Sequence, residues 1–457
     1  MSTEVNPQQL NVQHALDEVI RRAEGDCPPG LTPAEYAACL RRTPPKTPRP
    51  TPTPRVASPL MTELIESAVN PQELTARIED LISEGTPIVQ AARDEQGNDL
   101  QTERIVTFLY RNGEAQQVLL FVNRITDEKD LGRSLMERIE GTDWWHLSFQ
   151  METNWRASYC FVPALPGGTP PWLNDRDQVQ LRRVLDTGLY DTNNPLEMVN
   201  RLGHHMSVVQ LEHAPVHEFV LEMHELEQLP EYEWHMAPEQ HPVSIQRVGD
   251  PAPEAPLVIF FDGEAWLRLG LLETLQRAHD ASRLPSFNAL FVDSGGRERR
   301  WKELDGSNPI GAYLADQALP WLAAEHNVAP ARENIFLNGQ SLGGLSALLA
   351  VLSRPEAFGG AFAQSSSLWQ EVAFERLAEL KDADELHRLN HLRLDIEVGQ
   401  QEWILTEPHE KFIQQLRESN ADISYTVFNG GHDYACWRGA IVPALERILP
   451  ANSVAGE

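Results

Sequence analysis

From Thr86 to His235 the apolar residues come in short runs broken by polar turns, the rhythm of a β-rich region. Ile105–Tyr110 and Gln117–Val122 are β-branched and aromatic, and Asn112-Gly113 between them supplies a turn. Trp144–Phe149 and Ala157–Val162 read as two further strands, and such a succession predicts a sandwich. From about Glu254 the rhythm changes. Leu257–Phe261 is a continuous apolar run, as expected of a strand buried on both faces of a parallel sheet. Similar runs follow at 289–292, 334–337, 361–363, 392–398 and 425–428, most of them separated by helical stretches (312–325, 342–352, 409–418). Alternating strand and helix predicts an α/β sheet with helices on both faces.

Ahead of the β region, Leu64, Ile65, Ala68, Leu74, Ile78, Leu81 and Ile82 recur at helical spacing, which predicts a helix over 62–83. A short helix is also compatible with 9–23. Residues 43–54 alternate Pro and Thr around a few basic positions. Proline lacks the donor that a ladder or helix interior needs, so this stretch is expected to be an extended linker. The chain therefore divides into a Pro/Thr-rich flexible, disordered extension (1–60), a β-rich domain with a leading helix (61–240) and an α/β catalytic domain (241–457).

Composition narrows the function. The 457 residues carry a net charge of −29, which opposes binding to nucleic acid or to anionic membranes, since both rest on Lys and Arg. No apolar run reaches the roughly 20 residues of a bilayer span. The first residues lack the basic and apolar segments of a secretory signal. Four scattered cysteines give neither a disulfide framework nor a zinc pair, so a reducing cytoplasm is the expectation.

The sharpest chemical signal is Gly339-Gln340-Ser341-Leu342-Gly343-Gly344, between an apolar strand and an apolar helix. That is the context of a nucleophile elbow, with Ser341 exposed on a turn too tight for side chains at its flanks. In α/β-hydrolases the base follows the serine and the acid. His432, in Gly430-Gly431-His432-Asp433, is the candidate base. Glu402, on the loop after the 392–398 strand, is the candidate acid, with Glu407 and Asp433 as rivals. The oxyanion hole would combine the Leu342 amide with one from the loop after Leu257–Phe261, where Gly263 permits close approach and Glu264 is the expected donor.

Together these segments resemble the enterochelin (ferric enterobactin) esterases, a branch of the esterase-D-like α/β-hydrolases. The resemblance runs through Asp262-Gly263-Glu264-Ala265-Trp266, Arg300-Trp301-Lys302-Glu303-Leu304, the elbow, Gln364-Ser365-Ser366-Ser367-Leu368-Trp369, Glu397–Glu402 and Gly430–Arg438. In the β-rich half it runs through Gly141–His146 and Trp155–Pro163. Residues 1–60 have no counterpart, and Asp191–Leu196 and Glu231–Met236 depart from the family's pattern. The resemblance implies a serine esterase that opens the trilactone of a catecholate siderophore, with iron present only as part of the substrate and no cofactor of its own. A trianionic ferric complex calls for cations. Arg297, Arg299 and Arg300 on one loop, Arg156 from the other domain and the ring of Trp266 are the candidates for binding it. The competing readings are an esterase or acyltransferase for another ester, and a binding protein with a vestigial elbow.

Overall fold

The computed structural model describes residues 47, 49–173, 178–306 and 310–449. The possible helix at 9–23 and most of the 1–60 extension lie outside them.

The β-rich part is a sandwich of two four-stranded sheets. One has the order β1-β2-β5-β4 and is built from Ile88–Arg93 (β1), Asp99–Arg111 (β2), Glu137–Arg138 (β4) and Trp144–Glu152 (β5). The other has the order β3-β6-β8-β7 and is built from Gln117–Val122 (β3), Arg156–Ala164 (β6), Glu197–Val199 (β7) and His205–Gln210 (β8). Val106, Phe108, Leu147 and Phe149 from the first meet Leu120, Ala157, Tyr159 and Phe161 from the second in one buried cluster. The Asn112-Gly113 turn closes no hairpin: β2 and β3 lie in different sheets, so the turn carries the chain across the sandwich. Asn112 Oδ1 stabilises the crossing by accepting from the Glu114 and Ala115 amides.

The expected helix at 62–83 is two helices, Pro59–Ser67 and Pro71–Leu81. Pro71 cannot continue a helix through its own ring, and Asn70 instead caps the second one by accepting from Glu73 N. Residues 49–58, expected to belong to a free extension, are laid against the sandwich. Val56 N donates to Ser148 O at 3.1 Å, and Gln150 N donates to Pro54 O at 3.0 Å. Proline-rich backbone keeps its carbonyls, and non-proline positions such as Val56 still supply a donor, so the strap can both accept from and donate to β5.

The catalytic domain has one eight-stranded sheet of order β16-β15-β14-β13-β11-β12-β10-β9. Its strands are His235–Ala237 (β9), His241–Val248 (β10), Leu257–Phe260 (β11), Phe287–Val292 (β12), Ile335–Gln340 (β13), Gly360–Gln364 (β14), Arg393–Gly399 (β15) and Asp422–Phe428 (β16). β11 to β16 run parallel, while β10 is antiparallel to both neighbours. This is the α/β-hydrolase arrangement. β11 to β14 are buried along their whole length, in keeping with the apolar run in each. Among the elements hidden in the sequence, β10 is interrupted by polar residues, and Gly296–Leu304, expected as an arginine-bearing loop, is a helix.

Candidate active site

Parallel strands place all their C-terminal ends on one edge, and ligands of α/β sheets bind there. Four of these ends carry the chemistry. β13 ends at Gln340 and delivers Ser341; β14 ends at Gln364 and delivers Ser365–Ser367; β15 ends at Gly399 and leads to Glu402; β16 ends at Phe428 and leads to His432. In-register pairing sets Gln340 beside Gln364 and Gln364 beside Glu397. Beneath the site these side chains form a buried ladder. Trp266 Nε1 donates to Gln340 Oε1 at 2.9 Å, Gln340 Nε2 to Gln364 Oε1 at 2.7 Å, and Gln364 Nε2 to Glu397 Oε1 at 2.6 Å.

Ser341 has φ 60° and ψ −117°, a conformation that costs on the order of 1–3 kcal/mol and is kept by surrounding packing. The packing is tight: a Cβ on Gly339 would stand 2.2 Å from Gly343 O, so only glycine closes the elbow. The Ser341 amide donates to Gln364 O at 3.0 Å, and its carbonyl accepts from Ser367 N at 2.9 Å. The hydroxyl lies 3.4 Å from Ser367 Oγ. Among the described residues no hydrogen bond joins it to His432; such contacts often tighten only once substrate is bound.

His432 Nδ1 bonds Glu402 Oε1 at 2.5 Å. The rival carboxylates are occupied elsewhere: Glu407 pairs with Lys411 at 2.6 Å, and Asp433 accepts from Ser158 N at 2.6 Å and caps the helix Tyr434–Ile448. Burial would raise the Glu402 carboxyl. The His432 ring, Arg124 and Ser365 more than offset it, so the group sits below the usual carboxylate range and stays ionised. Ser365 Oγ and Gly399 N occupy Oε2 at 2.5 and 2.8 Å. Burial lowers the pKa of His432, Glu402 raises it in part, and Arg124 and Arg182 lower it again; the net shift is downward. Near neutral pH the ring is therefore neutral and able to take a proton.

Leu342 heads the helix Leu342–Ser353, so its N–H has no intrahelical acceptor; Gly263 and Glu264 stand likewise at the start of Gly263–Arg268. A Cβ on Gly343 would lie 3.3 Å from Phe261 Cβ, which shows how closely the two helix starts approach. The Glu264 carboxylate is engaged elsewhere, accepting from Ser294 N at 3.0 Å and pairing with Arg201 at 3.3 Å. Ser341, Glu402 with His432, and two sets of outward amides thus meet at one edge, the constellation for acyl transfer through a tetrahedral oxyanion.

The residues expected to bind the substrate are placed differently. Arg300 grips buried Asp262 through Nε and Nη2 at 2.6 and 2.7 Å, and Arg201 joins from the sandwich at 3.1 Å. Burial would raise the Asp262 carboxyl, but the two guanidinium groups hold it below its ordinary value. Arg300 is thus an internal counter-ion. Arg299 pairs with Glu303 and donates to Gln240 O at 3.0 Å, while Arg297 is exposed on the same helix. Trp266 is 0% exposed and forms part of the core. Arg156 is buried as well, its donors consumed by Gln210, Pro215 O and His217. Charge and aromaticity in the sequence do not say which groups already have partners inside the fold.

Several contributors were given no role from the sequence, although Ser365, Ser366 and Trp437 lie in stretches that carry the resemblance. Ser365, at φ 46°, bonds Glu402 and accepts from Trp437 Nε1 at 3.0 Å. Trp437 in turn lies edge-on to His432, with centroids 4.7 Å apart. Buried His409 accepts from Ser366 N at 3.1 Å. Asn123, from the sandwich, donates through Nδ2 to His432 O at 2.9 Å. Such contacts across the domain boundary leave no local pattern in either segment.

Two family models match the chain: enterochelin esterase, N-terminal, over residues 105–220, and putative esterase over residues 237–448. The iron(III) enterobactin esterase of Dickeya dadantii is 28% identical over 407 residues, covering 80% of this chain and 91% of that protein. The iron(III) salmochelin esterase of Escherichia coli is 28% identical over 365 residues, covering 76% and 87%. Among solved structures, the enterobactin esterase of Shigella flexneri in the presence of enterobactin matches with a TM-score of 0.64 at 25% identity, covering 80% of this chain and 95% of that one. The ferric enterobactin esterase of Salmonella typhimurium matches with a TM-score of 0.65 at 26% identity, covering 81% and 98%. The sandwich and the eight-stranded sheet coincide with the two matched stretches, and the chain is a carboxylic ester hydrolase similar to the enterochelin esterases in both parts.

Proposed function

We propose that this protein hydrolyses the ester bonds of a catecholate siderophore of the enterobactin type, giving dihydroxybenzoyl-serine units and loosening the hold on iron. The observation that carries this reading is the docking of an enterochelin-type sandwich onto the catalytic histidine's own loop. Asn123 holds His432 O, Ser158 N donates to Asp433 at 2.6 Å, and Arg156 N donates to Asn429 O at 3.2 Å. A general esterase has no need to build its base loop against a second domain, whereas a bulky three-armed substrate needs walls beyond the hydrolase edge.

In the mechanism, Ser341 Oγ attacks the ester carbonyl while His432 Nε2 takes its proton. Glu402 holds the ring through Nδ1 and stabilises its cation. The amides of Leu342 and of Gly263 or Glu264 receive the negative oxygen. His432 then protonates the departing seryl hydroxyl, and water repeats the sequence on the acyl-enzyme. The residues supply all of these proton transfers; iron enters only with the substrate. Cys160 and Cys436 are buried and free, which supports a site of action in the reducing cytoplasm.

The test is incubation of the purified protein with the ferric tris-catecholate trilactone, followed by chromatographic separation of linear trimer, dimer and monomer. Stepwise conversion, lost in Ser341→Ala, is expected. An intact trilactone in a preparation that still hydrolyses a neutral aryl ester would overturn the siderophore reading.

A further inference from the structure

Arg124 stands two residues beyond β3, at the sandwich's contact with the histidine loop, with φ 59°. A left-handed conformation is unfavourable for a non-glycine residue, and such strain persists where the surroundings enforce it. Gly431 provides the seat. A Cβ there would stand 2.6 Å from Arg124 Cγ and 2.7 Å from Arg124 Cβ, so a side chain at 431 would expel the arginine stem. Arg49, from the strap of residues 49–58, clasps the Arg124 carbonyl, donates to Gln401 Oε1 on the acid's loop, and through its backbone N donates to Asp127 at 3.3 Å.

Both guanidinium groups lie against one ring. Arg49 Cζ is 5.4 Å and Arg124 Cζ 5.8 Å from the Trp403 centroid, one residue beyond Glu402, and Trp403 Nε1 donates to Thr47 O at 2.9 Å. Glu402 attracts Arg124 through space, but its two oxygens are hydrogen-bonded to His432, Ser365 and Gly399 rather than to either guanidinium. Asp127 attracts Arg49, and Glu128 and Glu402 attract Arg124, but burial outweighs these carboxylates and leaves both guanidinium groups poorly stabilised as cations. Arg124 Nε is buried with no hydrogen-bond partner. Two like charges beside one indole, next to the triad of a protein with net charge −29, form an arrangement that a bound anion would stabilise.

We infer that Arg124, together with Arg49 of the strap and the face of Trp403, forms a subsite that receives an anionic oxygen of the substrate beside the catalytic histidine. The anion is either a catecholate oxygen of the ferric complex or the carboxylate freed when a first ester opens. Only this identification rests on the siderophore reading; the subsite itself rests on the geometry.

The experiment measures inhibition of neutral aryl-ester hydrolysis, so that it depends on the triad and not on cleavage of any siderophore. Three probes are compared in wild type and in Arg124→Gly, a variant that suits φ 59° and whose thermal midpoint verifies folding. They are 2,3-dihydroxybenzoyl-serine, its neutral methyl ester, and the trianionic ferric complex of 2,3-dihydroxybenzamide. The inhibition constant of at least one anionic probe is expected to rise tenfold or more, while that of the methyl ester changes less than threefold. A rise for the serine acid alone assigns the carboxylate, and a rise for the ferric complex alone assigns the catecholate. Arg49→Gln should move the same probe in the same direction, and Arg124→Lys should restore part of the effect. Removing a positive charge beside His432 should also shift the acid limb of the pH–rate profile to higher pH. Equal changes for all three probes, or none, would overturn the subsite.

Discussion

Ser365 Oγ donates to Glu402 Oε2 at 2.5 Å from a backbone held at φ 46°, so the proposed triad acid is fixed by a residue on the neighbouring strand end. A hydrogen bond to a charged group is worth about 1.5–3 kcal/mol. Ser365→Ala is therefore expected to lower kcat by roughly tenfold to a hundredfold, with a smaller change in KM. Because the bond favours the ionised carboxylate, its loss should raise the Glu402 pKa. A pH–rate profile of Ser365→Ala that overlays wild type, with only the thermal midpoint lowered, would reduce Ser365 to a packing residue.

Ser341→Ala removes one hydroxyl whose bond to Ser367 Oγ is long, at 3.4 Å, so unfolding should be nearly unchanged. Loss of a triad member typically costs several powers of ten in rate. Paired measurements of thermal midpoint and ester turnover check both halves, and turnover near the wild-type rate would move the nucleophile elsewhere.

The parallel sheet was legible because strands buried on both faces leave unbroken apolar runs, as in Leu257–Phe260. The elbow was legible because its geometry demands glycine at fixed places. Chain order pointed to Glu402 and His432, which the structure brings within hydrogen-bond distance of each other. The cations were not legible in the same way. Arg300 and Arg124 look alike in sequence, but one faces buried Asp262 and the other faces Trp403 and the histidine loop. The partner of each is 38 positions or more distant, and no local pattern records it. The strap escaped for a related reason. Its Pro/Thr composition describes what most of the backbone cannot donate, while its docking rests on the Pro54 carbonyl and the Val56 amide pairing with β5.

The pH dependence follows from His432. Its pKa lies below the ordinary 6.5, with burial as the main cause and Glu402 only partly restoring it. Catalysis needs the neutral ring, so kcat/KM should fall as pH drops through a midpoint below 6.5. Glu402, also depressed, remains ionised across that window. A limb centred above 6.5 for a neutral ester would contradict the environment described for the ring.

Arg300→Gln probes the Asp262 cluster. It leaves a fully buried carboxylate with Arg201 as its remaining cation, and breaking a buried pair costs about 3–5 kcal/mol. The expected result is a markedly lower thermal midpoint and comparable losses on anionic and neutral esters. A selective rise in KM for the ferric substrate, with stability retained, would return Arg300 to the binding surface.

The strap makes a prediction of its own. Residues 49–58 contribute the Val56 and Pro54 contacts to β5, the Ser58 cap that accepts from Met61 N at 3.2 Å, and the Arg49 clasp on Gln401. Two truncations separate these contributions. One begins at Thr47 and keeps the strap; the other begins at Pro59 and lacks it. The longer protein should retain wild-type kcat and thermal midpoint. The shorter one should unfold several degrees lower, since losing a helix cap alone costs about 1 kcal/mol. It should also lose turnover through kcat, because the loop carrying Glu402 and Trp403 loses its partners at Thr47 and Arg49. Supplying residues 47–58 as a free peptide should recover part of that turnover in a saturable manner. Identical kinetics for the two truncations would mean that the acid's loop is held by the hydrolase core alone, and that the strap only covers the sandwich.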